Sequence, residues 1–407
     1  MPSRAHTDGW TAGHSGGWGS LPWGEFPWGG VEPTPPPVPA AVEAVTTEQI
    51  LALITADNLT VAFGAELLDV DDLLVEDISL DLLNGEVEHQ NYADVHGTIS
   101  LSISRELGWE TARVRPWQTL TGAGYYKTWP LGVYLLTTPE TPLGETPITY
   151  AVSGYDKLHL LQRPVGDTYV VATGASYLEA VVAAITTSEA GGLAPLLDGT
   201  AVETLLPEPM VWVLDTANPT TYLRIVNDLL SAIGYRGVWA DATGRFCSVP
   251  YQNPLVRSPM WTLDVSDQKT CIVGESRTLT KDIYEPTNWW RFVRTGMTAE
   301  PVEGTGFYTV DLSDGGTKYK SVQSLDVADQ PSLVARGDEI VQTARQVTQT
   351  LDITTGPLPI LGHFDVLEYV DPEAVGTLKC QVRSWRLPLG TCTPTGMASF
   401  ISRTSRT

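Results

Sequence analysis

The stretch that decides the fold runs from Arg113 to Leu161: RVRPWQTLTGAGYYKTWPLGVYLLTTPETPLGETPITYAVSGYDKLHLL. An arginine-flanked Pro116-Trp117 segment leads to a turn. Pro130-Leu131-Gly132-Val133-Tyr134-Leu135 follows, then a short connection, then Tyr150 to Lys157, which ends Gly-Tyr-Asp-Lys. Gly and Pro punctuate runs rich in β-branched and aromatic residues, and that pattern reads as three β-strands at the edge of a small barrel.

Outward from this stretch, residues 46–160 read as a first β module. Thr47 is placed to cap a short helix over Glu48–Ile54. Ile78, Leu80 and Leu82 alternate within Val75–Leu82, Asn84-Gly85 is a turn signal, and Ile99, Leu101 and Ile103 alternate within Thr98–Ser104. Residues 161–262 change character. Tyr177–Thr186 and Thr220–Ile233 carry helical patterns, the second stopping at Gly234, and Tyr235–Ala240 and Arg245–Pro250 flank an Asp241-Ala-Thr-Gly244 turn. Residues 263–407 return to β structure, with a strand over Asn288–Thr295, a helix over Ser332–Val347 and strands over Cys380–Pro388 and near Met397–Ile401. Residues 1–45 stand apart: Trp10, Trp18, Trp23 and Trp28 sit among glycines, followed by a stiff proline-rich run from Pro33 to Pro39. This extended arm is expected to be disordered alone and to dock its tryptophans into apolar pockets of a partner. The expected fold class is therefore mainly β (α+β): two β-barrel modules, 46–160 and 263–407, separated by an α/β insert, 161–262.

Charge limits the function. The chain of 407 residues has 25 Lys and Arg against 48 Asp and Glu, a net charge of −23. A protein that holds nucleic acid needs clustered cations, and this composition is the reverse. No Lys or Arg lies between Arg4 and Arg105, whereas sixteen Asp or Glu do. Such a face is either a solvated acidic surface or a wall past which a polyanion moves without sticking.

Catalytic patterns are sparse. Gly13-His14-Ser15-Gly16-Gly17 fits G-x-S-x-G, but no strand precedes it and no helix follows, so the serine has no elbow to lift it. Asp69-Val70-Asp71-Asp72 begins like a calcium loop, yet Leu74 and Leu80 stand where Gly and Glu are needed. The six histidines show no H-x-x-x-H or H-E-x-x-H spacing, and His159 reads as packed or hydrogen-bonded. Cys247, Cys271, Cys380 and Cys392 form no C-x-x-C pair and read as small buried thiols. There is no P-loop, no dinucleotide fingerprint and no apolar run of membrane-spanning length, and the residues after Arg4 do not form a secretory signal. No cofactor and no metal are expected.

The order R-x-R-P-W, P-L-G-V-Y-L, G-Y-D-K resembles the N-terminal module of phage minor tail proteins that form the tail-tip baseplate hub. The helix, the Gly-Tyr-Arg strand and the Asp-x-x-Gly turn at 220–250 resemble the insert of the same family. The 332–367 segment resembles the second barrel of hubs from long-tailed and contractile phages. The resemblance implies tail-tube-like barrels in a homotrimer, whose six modules match a hexameric tube. It also implies contacts with a distal tail protein, the tape measure protein and other tail-tip or fibre proteins. Genomic DNA would meet the ring only in transit, without stable membrane association, in a virion tail tip assembled in the host cytoplasm. On this reading Glu66, Asp69, Asp71, Asp72 and Asp81 partly face a lumen, the protein is not an enzyme, and Trp117 and Tyr134 are packing residues. Two alternatives stay open: a tail-tip cell-wall hydrolase or carbohydrate-binding protein, and a hexameric distal tail protein.

Overall fold

The computed structural model describes residues 42–407 apart from 110, 138, 140–147, 191–195, 198–204, 255, 266–271, 282–286, 296–303, 314, 346, 373–375, 391–395 and 405–407. The tryptophan arm, Ser15, Cys271 and Cys392 lie outside the described residues. Within them are 23 strands and five helices, so the chain is mainly β, with a fifteen-stranded mixed sheet and three small sheets.

The opening stretch supplies four strands instead of three, and its first is interior. Arg113–Gly122 pairs antiparallel with Thr60–Leu68 along its whole length, from Leu68 opposite Arg113 to Thr60 opposite Thr121. Its other edge is shared by Tyr125–Pro130 and Tyr134–Leu136. Gly122 and Tyr125 close a two-residue hairpin, and Ala123 (φ 49°) and Gly124 (φ 80°) both adopt the left-handed backbone that such a turn demands. Pro116 sits where the partner changes. Its carbonyl accepts from Leu131 N at 2.9 Å, so its missing N–H faces the same gap and no ladder bond is lost.

Two local expectations give way for steric reasons. Val75–Leu82 is not one strand: Leu74–Asp77 ends at a turn in which Asp77 Oδ1 accepts from Ser79 N (2.9 Å) and Ser79 Oγ (2.5 Å). Leu80 is consequently 99% exposed, while Ile78 and Leu82 remain buried. Asn84-Gly85 is not a turn but lies inside the Leu82–Gln90 strand, whose partner Gly97–Ile103 is reached by a turn over 91–96. Gly85 is required there by closeness, because a Cβ would stand 2.6 Å from Leu101 Cδ2 and 2.7 Å from the Ser100 carbonyl oxygen.

The two β portions are joined. The 14-residue strand Gly376–Leu389 pairs first with Val366–Asp371, passes a bulge between Val382 and Ser384, and then pairs with Leu82–Gln90, Ser384 opposite Gln90. One core is shared accordingly: Leu53, Ile54 and Leu120 pack with Leu263, Leu351, Leu367, Tyr369 and Val382. The two β portions are thus joined in one continuous ladder, and no ring of strands closes among the described residues.

The helical segments follow their caps. Thr46, not Thr47, caps Thr47–Ile54, with Gln49 completing the capping box. Ser176 and Thr221 cap Tyr177–Thr187 and Tyr222–Ala232, and Gly234 (φ 72°) follows the second. These two helices share a core built from Val181, Ile185, Val226, Leu230 and Phe246. The 16-residue helix Gln330–Arg345 lies on the sheet of Trp289–Arg294, Phe307–Asp311 and Lys320–Leu325 and buries Leu333 and Val341 against Trp290 and Phe292. Val347, expected on its inner face, instead opens the strand Val347–Thr355.

Candidate functional site

The acids of the cation-free stretch are met by cations from later in the chain. Arg115 Nε lies 2.6 Å from Glu66, and Arg105 lies 2.7 Å from both Glu76 and Asp81. Asp69 Oδ1 accepts from Asp71 N (2.8 Å) and Leu73 N (2.9 Å), which ties the loop to itself, while Asp71 is exposed. Asp72 departs furthest from expectation. Its side chain is 0% exposed, one oxygen bonded to Arg113 Nη1 at 2.6 Å and the other to Lys157 Nζ. A carboxylate enclosed in this way presents no charge to a lumen, so Asp72 is corrected from wall residue to internal anchor. The calcium reading also loses Asp72 as an available ligand.

This anchor explains the first signature. Arg113 opens R-x-R-P-W and Lys157 closes Gly-Tyr-Asp-Lys, and the sheet brings both onto Asp72. Lys157 Nζ also lies 5.1 Å from the centre of the Phe246 ring. Burial pushes the Lys157 ammonium below its ordinary range, and the Asp72 carboxylate opposes that push. Asp156, beside it, accepts from Gly97 N (2.6 Å), Leu158 N (2.9 Å) and His96 N, yet burial holds its carboxyl up at about 7. Tyr134 is buried and donates to the Leu131 carbonyl at 2.9 Å, and Trp117 is half-buried over Gly64. Cys247 is a buried free thiol, and Cys380 is buried with its Sγ 3.9 Å from the Leu378 carbonyl.

Three of the histidines, which no spacing joins in the sequence, meet in the fold. His89 lies next to the end of a strand, His96 precedes the next, and His363 lies in the turn before Val366–Asp371, yet one ring nitrogen of each falls within 4.8 Å of the others. His89 and His363 ring centres are 4.0 Å apart, edge to face. Trp385 stacks on His89 at 5.5 Å and Trp239 on His363 at 5.6 Å. Burial drives all three rings towards the neutral form, His89 to about 4, His96 to about 3 and His363 well below its usual value. The turn carrying His363 holds Phe364 at φ 56°, secured by Arg257 and Gln381 bonds to the Phe364 carbonyl (2.7 and 3.2 Å) and by Gly362 N on Asp365 (2.7 Å). Spacing alone could not reveal this group, because the third histidine arrives through the Gly376–Leu389 pairing. His159 is exposed, stacked on Tyr155 and bonded to Gln162 Oε1 at 3.1 Å.

A polar cleft of about 200 Å³ lies elsewhere, between Tyr177, Glu208, Trp212, Asp228, Arg294 and Asp326. Asp228 is engaged there by Trp212 Nε1 at 2.9 Å.

No family model matches the sequence, and neither does any curated protein. Solved structures do match the fold. A tail protein from Neisseria meningitidis MC58 superposes with a TM-score of 0.61 at 10% identity, over 84% of this chain and 96% of that one. The chain has the fold of phage tail proteins. A 43 kDa tail protein of prophage MuSo2 from Shewanella oneidensis gives a TM-score of 0.55 at 11% identity, over 83% and 98% of the two chains. The prophage tail protein gp18 from Listeria monocytogenes EGD-e gives 0.50 at 9% identity, over 84% and 95%.

Proposed function

We propose that this chain is a structural, non-enzymatic subunit of a bacteriophage tail tip, a baseplate hub that continues or closes the tail tube and lets DNA pass. The observation that carries the reading is the match to tail proteins over nearly their whole length, 95–98% of each, so that what is shared is an architecture and not an isolated motif. The deficit of cations agrees with it, because a tube wall must not bind the polyanion it conducts. On this reading the hub is a homotrimer in the virion. It is flanked by a distal tail protein, the tape measure protein and fibre proteins, and Trp10, Trp18, Trp23 and Trp28 dock on one of them. The partition at 46–160, 161–262 and 263–407 then describes modules that move as one ring segment. Glu66, Asp69, Asp71 and Asp81 remain the wall candidates, without Asp72.

Native mass spectrometry of the purified chain tests the assembly. A trimer is the expected mass, whereas a hexamer would point to a distal tail protein and a monomer at all concentrations would remove the ring. Incubation with host peptidoglycan should release neither sugars nor peptides, and release would replace the structural reading with a hydrolase. Deleting residues 1–40 should leave a folded protein that no longer joins tails in an assembly assay.

A further inference from the structure

We propose that His89, His96 and His363 form a binding site for a divalent transition-metal cation of the zinc class, which fastens the joint between the two β portions. The proposal is independent of the tail reading. The bland account, three neutral rings packed with tryptophans, leaves two facts without a cause. Nδ1 of His96 and Nδ1 of His363 are both buried without a hydrogen-bond partner. Each such atom is costly in an apolar surround, and native structures carry few of them. One cation would satisfy both.

The surrounding bonds prepare the rings as ligands. Asn91 Nδ2 donates to the Val382 carbonyl at 2.7 Å, so Asn91 Oδ1 is the atom turned to His89 Nε2, 2.9 Å away. An amide oxygen only accepts; His89 therefore carries its proton on Nε2 and its lone pair on Nδ1. His363 donates a ring N–H to the Ala240 carbonyl. With its Nδ1 unpaired, that donor is Nε2, and the lone pair again falls on Nδ1. A backbone carbonyl or amide oxygen on the far nitrogen is the arrangement that fixes the tautomer and ring angle of metal-bound histidines. Tetrahedral ligation at about 2.0–2.1 Å places nitrogens about 3.4 Å apart, and one ring nitrogen of each histidine already lies within 4.8 Å of the others. Rotation about the soft outer torsion of the rings covers the difference.

The donor set names the class of ion. Three imidazoles suit zinc, cobalt, nickel or copper, whereas magnesium and calcium need oxygen ligands. Three neutral ligands leave the cation its full charge. The Asp156 carboxyl accepts from the backbone N–H of His96 and so fixes the chain that carries this ligand. Arg236 opposes the charge of the cation from beyond Phe364, 4.4 Å from that ring. Three protein ligands leave a fourth position for water.

The test uses untagged full-length protein, dialysed against chelator and titrated with Co²⁺ as a visible probe. One Co²⁺ per chain is expected, with the intense d–d bands of a low-coordinate nitrogen site, displaced by one equivalent of Zn²⁺, and the melting temperature should rise on Zn²⁺ addition. His363→Gln and His96→Gln should each weaken Co²⁺ binding by at least about 100-fold, since loss of a ligand exceeds the 10–100-fold effect of losing its supporting group. His159→Gln should bind as the parent does. The unmodified protein decides the matter without any variant: the weak spectrum of octahedral Co²⁺, or failure to saturate at one equivalent, overturns the site. A folded His363→Gln that binds Co²⁺ as tightly as the parent overturns it as well.

Discussion

Asp72 holds two cations inside the protein, and the imbalance of that cluster sets its energetics. Removing a partner from a buried ion group strands the remaining charge, a loss of about 3–5 kcal/mol, whereas an exposed pair contributes about 1 kcal/mol or less. Asp72→Asn, which leaves Arg113 and Lys157 without their carboxylate, should therefore lower the denaturant midpoint severely or prevent folding. Asp81→Asn, at a pair whose side chains are 38% and 29% exposed, should shift unfolding by less than about 1 kcal/mol. Equal effects in urea titrations of the two variants would refute this assignment. Charge counting along the sequence found the acidic stretch but could not tell these carboxylates apart, because the cations that meet them, Arg105, Arg113, Arg115 and Lys157, come from later segments that reach it only in the fold.

Among the elements, the helix Gln330–Arg345 sets two effects against each other at Gly337. Replacing an interior helical glycine by alanine favours the helix by about 1 kcal/mol. Here, however, the new Cβ would stand 2.7 Å from Phe292 Cδ2 and 2.8 Å from Tyr308 Cδ1, both on the sheet beneath. Overpacking of this kind costs about 1–3 kcal/mol, so Gly337→Ala should destabilise the protein, and a rise in melting temperature would mean that helix and sheet can separate. Thr46→Ala removes a capping box and should cost about 1 kcal/mol, read in the same unfolding experiment. Four of the five helices were legible in the sequence to within a residue or two because their signals are local, whereas the short helix Leu158–Leu161 was not. Strand limits were less so. Leu80 continued an alternation that a side-chain-capped turn interrupts, and Asn84-Gly85 carried a hairpin signal in a place where glycine serves close strand packing. The histidine group was illegible for a stronger reason, since its members are assembled by ladder pairing between distant parts of the chain.

At the scale of the whole molecule, the resemblance carried by 113–161 gave the right fold, and the ladder shows what its two halves share. Leu82–Gln90 has Gly97–Ile103 on one side and the last part of Gly376–Leu389 on the other. A fragment ending at residue 161 would leave that second side open, so it should aggregate or remain partly unfolded by circular dichroism; a soluble, cooperatively melting fragment would contradict the shared sheet. The same pairing bears on synthesis. A ribosome emits Leu82–Gln90 and Gly97–Ile103 together but Gly376–Leu389 far later, so through much of translation one edge of Leu82–Gln90 stands open to any neighbour. Chains made side by side on one messenger face that hazard together, and this pairing must wait until Gly376–Leu389 has emerged.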